Sequence, residues 1–202
     1  MGSYGETAVG LYGIDVGEMQ GNINWEQVKK EGVQFAMLRS GYGAGSMDVQ
    51  FRKNAEGCAR EKIPFGVYWS SYAWTPRMAR KEAEFCIETI EEYKLSYPVS
   101  FVFDKDSVKY VETKGIAVTK ILATEMAEAF CRRIEELGYR PMYYSNKDFL
   151  DRMFDESLQK KYALWYAQYE GESHSEKTVI WQYTNKGRIR GIKGDVNENM
   201  AY

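Results

Sequence analysis

Short apolar and aromatic runs alternate along this chain with stretches in which apolar residues return at helical spacing. The runs at 11–16, 35–42, 65–72, 99–104, 141–145, 162–169 and 179–184 read as strands. Between the first two, Asn24 and Gln27 have the form of a capping box on a helix that Gly32 closes, and Thr75-Pro76 places an N-cap before a proline at the first helical position. Two longer helices each show one apolar face. Ala79, Ala83, Cys86, Ile87 and Ile90 make one face; Ile121, Leu122, Met126, Ala129, Phe130, Ile134 and Leu137 make the other, which stops at Gly138.

Strand and helix in regular alternation predict parallel strands joined by right-handed crossovers, an α/β fold. Beyond about residue 155 the helices shorten and the strand-like runs crowd together, so the fold is expected to finish with strands that have little helix between them. A chain of 202 residues suits one domain, taken as 11–202. Residues 1–10 read as a tag or disordered segment, Met1-Gly2-Ser3 resembling the remnant of an expression tag, and no secretory leader is visible. In a βα barrel the C-terminal strand ends face the site. Polar residues collect at those ends here: Asp15, Arg39, Tyr42, Tyr68, Ser70, Tyr72, Asp104, Asp106, Ser145, Asn146, Gln168 and Gln182. The glycine-rich run 41–46 follows the second strand and lacks GxGxxG spacing, so it is not read as a dinucleotide fingerprint.

Composition narrows the chemistry. With 44% hydrophobic and 28% charged residues the chain is neither disordered nor membrane-spanning, and a formal charge of −2 leaves no basic excess for nucleic acid. Cys58, Cys86 and Cys131 are widely spaced core candidates, and the single histidine, His174, sits in a polar stretch. Metal clusters and His-based triads therefore lack support, and carboxylates, hydroxyls or amides must carry any reaction. The departure from average is aromatic: 15% of the chain, with 16 tyrosines, supplies rings that stack on sugars or fill a barrel.

Cleaving a glycosidic bond requires two carboxylates across such a groove, one to protonate the leaving oxygen and one to stabilise or capture the oxocarbenium-like carbon. Asp15 and Asp104 lie at strand ends that a closed barrel brings together, although aspartate at such ends also caps turns and helices. The ordered words Gly13-Ile14-Asp15-Val16, Gln20-Gly21-Asn22-Ile23-Asn24-Trp25, Arg39-Ser40-Gly41-Tyr42-Gly43, Ile63-Pro64-Phe65-Gly66-Val67-Tyr68-Trp69, Tyr97-Pro98-Val99, Tyr143-Tyr144-Ser145-Asn146, Leu164-Trp165-Tyr166-Ala167-Gln168-Tyr169 and Trp181-Gln182-Tyr183 resemble the glycoside hydrolase family 25 lysozymes. The likeness implies an irregular, flattened TIM-like β/α barrel of about five βα units closed by extra strands. It implies N-acetylmuramidase activity on the β-1,4 bond between N-acetylmuramic acid and N-acetylglucosamine, with peptidoglycan glycan chains as partner and a secreted or cell-wall-associated location. No cofactor, metal, nucleic acid or membrane insertion is expected, and a monomer is.

Carried over position by position, the family's first-strand Asp is matched by Asp15. Its D-x-E motif, in which Glu donates the proton and Asp acts as nucleophile or stabiliser, falls on Val102 and Asp104 when counted without a gap from Tyr97-Pro98-Val99. A two-residue insertion would instead read Asp104 and Asp106 as D-x-D. The last family Asp falls on Asn197. Arg39, Tyr42, Tyr68, Trp69, Tyr72, Tyr144, Trp165, Tyr166, Gln168, Trp181 and Gln182 are the residues expected to bind sugar through stacking and amide hydrogen bonds. Asp in place of Glu withdraws the carboxyl by about one bond, and displacement of ~1 Å costs about a hundredfold in rate. Val102 removes the charge opposing the developing cation. The expectation is a hydrolase with impaired turnover; the competing one is a pseudoenzyme that holds glycan uncut, and a fold-only likeness with another polysaccharide stays open.

Overall fold

The computed structural model describes residues 10–171 and 177–202, so the expected N-terminal segment, apart from Gly10, and His174 lie outside the described residues. The elements run β1 (Leu11–Val16), a 3-10 turn (Glu18–Gln20), α1 (Trp25–Lys30), β2 (Phe35–Tyr42), β3 (Ser46–Met47), α2 (Phe51–Arg60), β4 (Phe65–Ser70), α3 (Pro76–Ile90) and β5 (Val99–Val102). They continue with α4 (Lys105–Glu112), α5 (Lys120–Glu136), β6 (Pro141–Asn146), α6 (Lys147–Met153), α7 (Glu156–Lys161), β7 (Ala163–Ala167), β8 (Thr178–Gly187) and β9 (Val196–Ala201).

The strands close into a ring, β1-β2-β4-β5-β6-β7-β8-β9, with β3 hanging outside on β2. Every neighbour from β1 through β8 is parallel, and β9 slots antiparallel between β8 and β1. Helices fill the crossovers from β1 to β7, and this is the irregular α/β barrel that the resemblance implies.

Strand alternation divides the apolar residues into two cores. Odd positions of β2 point inward, where Phe35 and Met37 join Val102, Met142, Trp165 and Ile180 inside the barrel. The alternate positions, Ala36 and Leu38 on β2, Val67 on β4 and Phe101 on β5, face the helices. The caps read from the sequence form: Asn24 accepts from the Gln27 N–H, and Thr75 from the Met78 N–H with Pro76 following. The three cysteines are free and buried. In α5 the apolar face is rotated from the expected one, because Ile121 is exposed while Ala123, Ala127 and Cys131 are buried. Small residues let α5 lie close against its neighbours, a signal that counting large apolar residues misses.

Three further differences matter for the site. The fourth run, β5, stops at Val102 instead of 104, because Asp104 leaves the strand to cap α4. β9 is one of the closing strands that the resemblance implies, but it is not among the predicted runs, since Asn197 and Asn199 occupy its inward positions and leave no apolar alternation to read. The glycine-rich run 41–46 is the tight turn from β2 to β3, where Gly43 and Gly45 have φ of 55° and 94°.

Gly57 shows how tightly the outer layer packs. A Cβ there would lie 2.0 Å from Cδ1 of Trp25, whose buried indole donates to Asn54 Oδ1 at 3.3 Å. Gly57→Ala is expected to cost about 2 kcal/mol and lower Tm by about 6 °C in a thermal melt, overpacking outweighing the better helix propensity of alanine.

Candidate functional site

At the C-terminal mouth of the barrel is a polar cavity of about 200 Å³, lined by Asp15, Arg39, Tyr68, Ser70, Val102, Asp104, Tyr144, Trp165, Gln182 and Asn197. All eight strands of the ring deliver side chains to it from inward positions, and Asp104 follows the end of β5.

Asp15 forms the floor. Its Oδ1 accepts from Asn197 Nδ2 at 2.9 Å, and its Oδ2 accepts from Gln182 Nε2 at 2.7 Å and Asn199 Nδ2 at 2.9 Å. Two of these donors come from the antiparallel β9, and the third comes from β8. Burial pushes the Asp15 carboxyl up to about 6, although the three amide bonds favour its charged form. The amides are themselves fixed: Trp165 donates to Asn199 Oδ1 at 2.8 Å, while the Tyr144 and Tyr169 hydroxyls donate to Gln182 Oε1 at 3.0 and 2.8 Å. Desolvation likewise drives the Tyr68 and Tyr144 hydroxyls well above the usual tyrosine range, so both are neutral donors at the cavity wall.

Arg39 borders the cavity under tight control. Its Nε donates to the fully buried Asp48 Oδ2 at 2.6 Å, and Nη2 lies 2.7 Å from Glu18 Oε1. Asp48 also accepts from the backbone N–H groups of Glu18 and Gln50. The 3-10 turn and the segment that follows β3 are therefore pinned to one guanidinium.

Val102, on which the ungapped count of the D-x-E motif falls, lines the same cavity as Asp15 with an apolar side chain and is buried within the interior core. Asp104 reaches the cavity from the α4 N-cap. Its Oδ1 accepts from the backbone N–H of Asp106 and of Ser107 at 2.9 and 3.1 Å and from the Ser107 hydroxyl at 3.4 Å. Asp106 lies in the first turn of α4, exposed, 3.4 Å from Lys109 Nζ, and lines the adjoining cavities instead of this one. β5 pairs with both neighbours without a bulge over Val99–Val102.

The other expected contact residues divide by strand parity. Tyr68, Tyr144, Trp165 and Gln182 point inward and line the cavity, Trp165 as a buried floor rather than an open stacking face. Tyr42 and Tyr72 line a neighbouring, larger cavity. Trp69 requires correction: it follows inward-facing Tyr68, so its ring points into the helix layer, fully buried, and donates to the Gly43 carbonyl at 3.1 Å. Tyr166 faces the same outer core. Trp181 alternates with inward Gln182, and its indole donates to the Gln168 carbonyl at 2.9 Å; neither Gln168 nor Trp181 lines the Asp15 cavity. Sequence reasoning missed Asn199 and Tyr169. Asn199 shares its strand face with Asn197, so the spacing Asn-x-Asn opposite Asp15 is the signal that could have found it.

The sequence profile of the Glycosyl hydrolases family 25 matches residues 14–192, and the chain belongs to this family of glycosidases. The protein YegX of Escherichia coli (strain K12) is 25% identical over 203 residues, covering 94% of this chain and 69% of YegX. Among solved structures, the modular autolysin LytC of Streptococcus pneumoniae in complex with a synthetic peptidoglycan ligand superposes with a TM-score of 0.85 at 26% identity, covering 96% of this chain and 47% of LytC. The chain thus spans about half the length of that autolysin. A family 25 glycosyl hydrolase from Bacillus anthracis shares the fold, with a TM-score of 0.80 at 19% identity over 100% of this chain and 95% of its own.

Proposed function

We propose that this domain binds the glycan strands of peptidoglycan at the mouth of its barrel and hydrolyses the bond between N-acetylmuramic acid and N-acetylglucosamine far more slowly than a chain with the full family acid set. Family membership and the likeness to a peptidoglycan-bound autolysin support the substrate, and a secreted or wall-associated location goes with it. The amides of Gln182 and Asn197 and the neutral hydroxyls of Tyr68 and Tyr144 suit acetamido sugars.

The observation that carries the reduced rate is the pairing of Val102 with a capping Asp104. An apolar side chain where a carboxylate would face the oxocarbenium-like centre offers no electrostatic stabilisation. The remaining acid is shorter than Glu, and one of its oxygens already accepts three donors of its own helix. Asp15, deep among three amides, serves to orient them and the sugar above.

Calorimetry with muropeptides and clearing of a peptidoglycan suspension test this together. Binding is expected, with clearing at no more than about one hundredth of the rate of an active lysozyme of the family. Brisk clearing that Asp104→Asn abolishes would refute the proposal, as would failure to bind.

A further inference from the structure

Beside the Asp15 cavity lies one of about 740 Å³ between α3, α4 and the β2–β3 turn, whose character is different. Its walls are Tyr72, Trp74, Met78, Phe85 and Tyr110, and no side-chain amide lines it, whereas Gln182 and Asn197 line its neighbour. The rings form a continuous set: the centroids of Tyr72 and Tyr110 are 5.1 Å apart, and those of Trp74 and Tyr110 6.3 Å. Such a lining suits aliphatic carbon better than hydroxyl-rich sugar.

The charges in it are not balanced in the same way. Both cations are engaged, Arg39 with Glu18 and Asp48, and Lys81 with Glu84. The buried carboxyl is only partly satisfied. Glu82, 3% exposed, accepts through Oε1 from the Tyr72 N–H at 3.0 Å and has the Ser71 hydroxyl beside it, while Oε2 has no partner of normal hydrogen-bond geometry. A buried carboxyl oxygen without a donor is costly and uncommon. The same rings already hold an ammonium from outside the cavity, for Lys114 Nζ lies 4.7 Å from the Tyr110 centroid and 5.9 Å from that of Trp74.

We infer that this cavity binds a primary alkylammonium group carried on a short peptide, with its methylenes against Met78 and Phe85 and its charge directed to Glu82 and the ring faces. The identity of the peptide rests on the function proposed above: peptidoglycan strands bear peptide stems containing diamino acids, and Arg39 borders both cavities, so a strand held at Asp15 brings a stem to this one.

The test separates the two ideas. At pH 8, where a lysine amine is protonated, L-Ala-γ-D-Glu-L-Lys and its Nε-acetyl form are titrated into wild type, Glu82→Gln and Ala44→Trp; Ala44 is an exposed turn residue at the rim, where an indole would fill the cavity. The free amine is expected to bind wild type about tenfold tighter than the acetylated form, and the preference to fall below about twofold in both variants. A stem-free GlcNAc–MurNAc disaccharide, run in parallel, is expected to bind wild type and Glu82→Gln equally. Its failure to bind would strike the reading of the Asp15 cavity alone. Equal affinity of the two tripeptides for wild type, or an undiminished preference in either variant, would overturn the alkylammonium site.

Discussion

Restoring the family acids with Val102→Asp, Asp104→Glu and Asn197→Asp is expected to speed peptidoglycan hydrolysis by about a thousandfold, the middle of the range for a positioned acid and base. Each change has its own physical task. Glu at 104 extends the carboxyl by one bond toward the leaving oxygen, beyond the cap contacts that hold the Asp104 carboxylate at the helix end. Asp at 102 puts charge against the developing cation from a strand position that already faces the cavity. It also gives the proton donor a like-charged neighbour that keeps its pKa high. At 197 the amide now donates to Asp15 Oδ1 at 2.9 Å, so a carboxyl there must share a proton with Asp15, and the pair titrates as a unit. The cost falls on stability, because Val102 packs in the interior core beside Trp165; a loss of about 1 to 3 kcal/mol is expected in denaturant melts. Dye release from labelled peptidoglycan gives the rate. A triple variant that stays folded yet clears no faster than the parent would show that the barrel mouth is not limited by these acids.

Stability is expected to fall as the pH rises from about 4 to about 7, the reverse of ordinary acid denaturation. Burial pushes the Glu82 carboxyl up to about 7 from 4.5 and that of Asp15 up to about 6 from 3.8. In each case the folded state holds its proton more tightly than the unfolded chain does. The contribution is therefore complete below about pH 4 and is lost as the pH passes the folded value. For Glu82 the net difference amounts to about 3 kcal/mol, desolvation outweighing the Ser71 hydroxyl and the Tyr72 N–H that favour the charged form. Glu82→Gln keeps the acceptor for the Tyr72 N–H and removes the ionisation. Urea melts should find it equal to wild type at pH 4 and more stable by about 2 to 3 kcal/mol at pH 8. Identical slopes of stability with pH in the two proteins would show that the carboxyl is not desolvated in solution as it is in this fold.

Much of the barrel was legible along the chain. The 11–16 and 35–42 runs are β1 and β2 residue for residue, because buried parallel strands are near-continuous apolar runs that need no partner to be recognised. β9 was not legible. Its inward residues are amides chosen for Asp15, which is 182 residues away in the chain for Asn197 and 184 for Asn199, and no local periodicity records such a pairing. The end of β5 was misread for a related reason: Phe101 and Phe103 extend the apolar pattern, but Asp104 finds its best partners in the N–H groups of α4.

By itself the sequence determined the alternating architecture, the family, and the absence of acids at 102 and 197, since these depend only on which residues occupy which positions. The tertiary structure alone decided which rings reach the mouth. Side chains on a strand alternate between barrel interior and helix layer, so Tyr68 and Trp69, neighbours in one aromatic word, end on opposite sides of the sheet. It also decided that Glu82, an unremarked residue of an amphipathic helix, is buried with an unpartnered oxygen beside an aromatic cavity, because burial arises from packing among elements that the chain order does not place together.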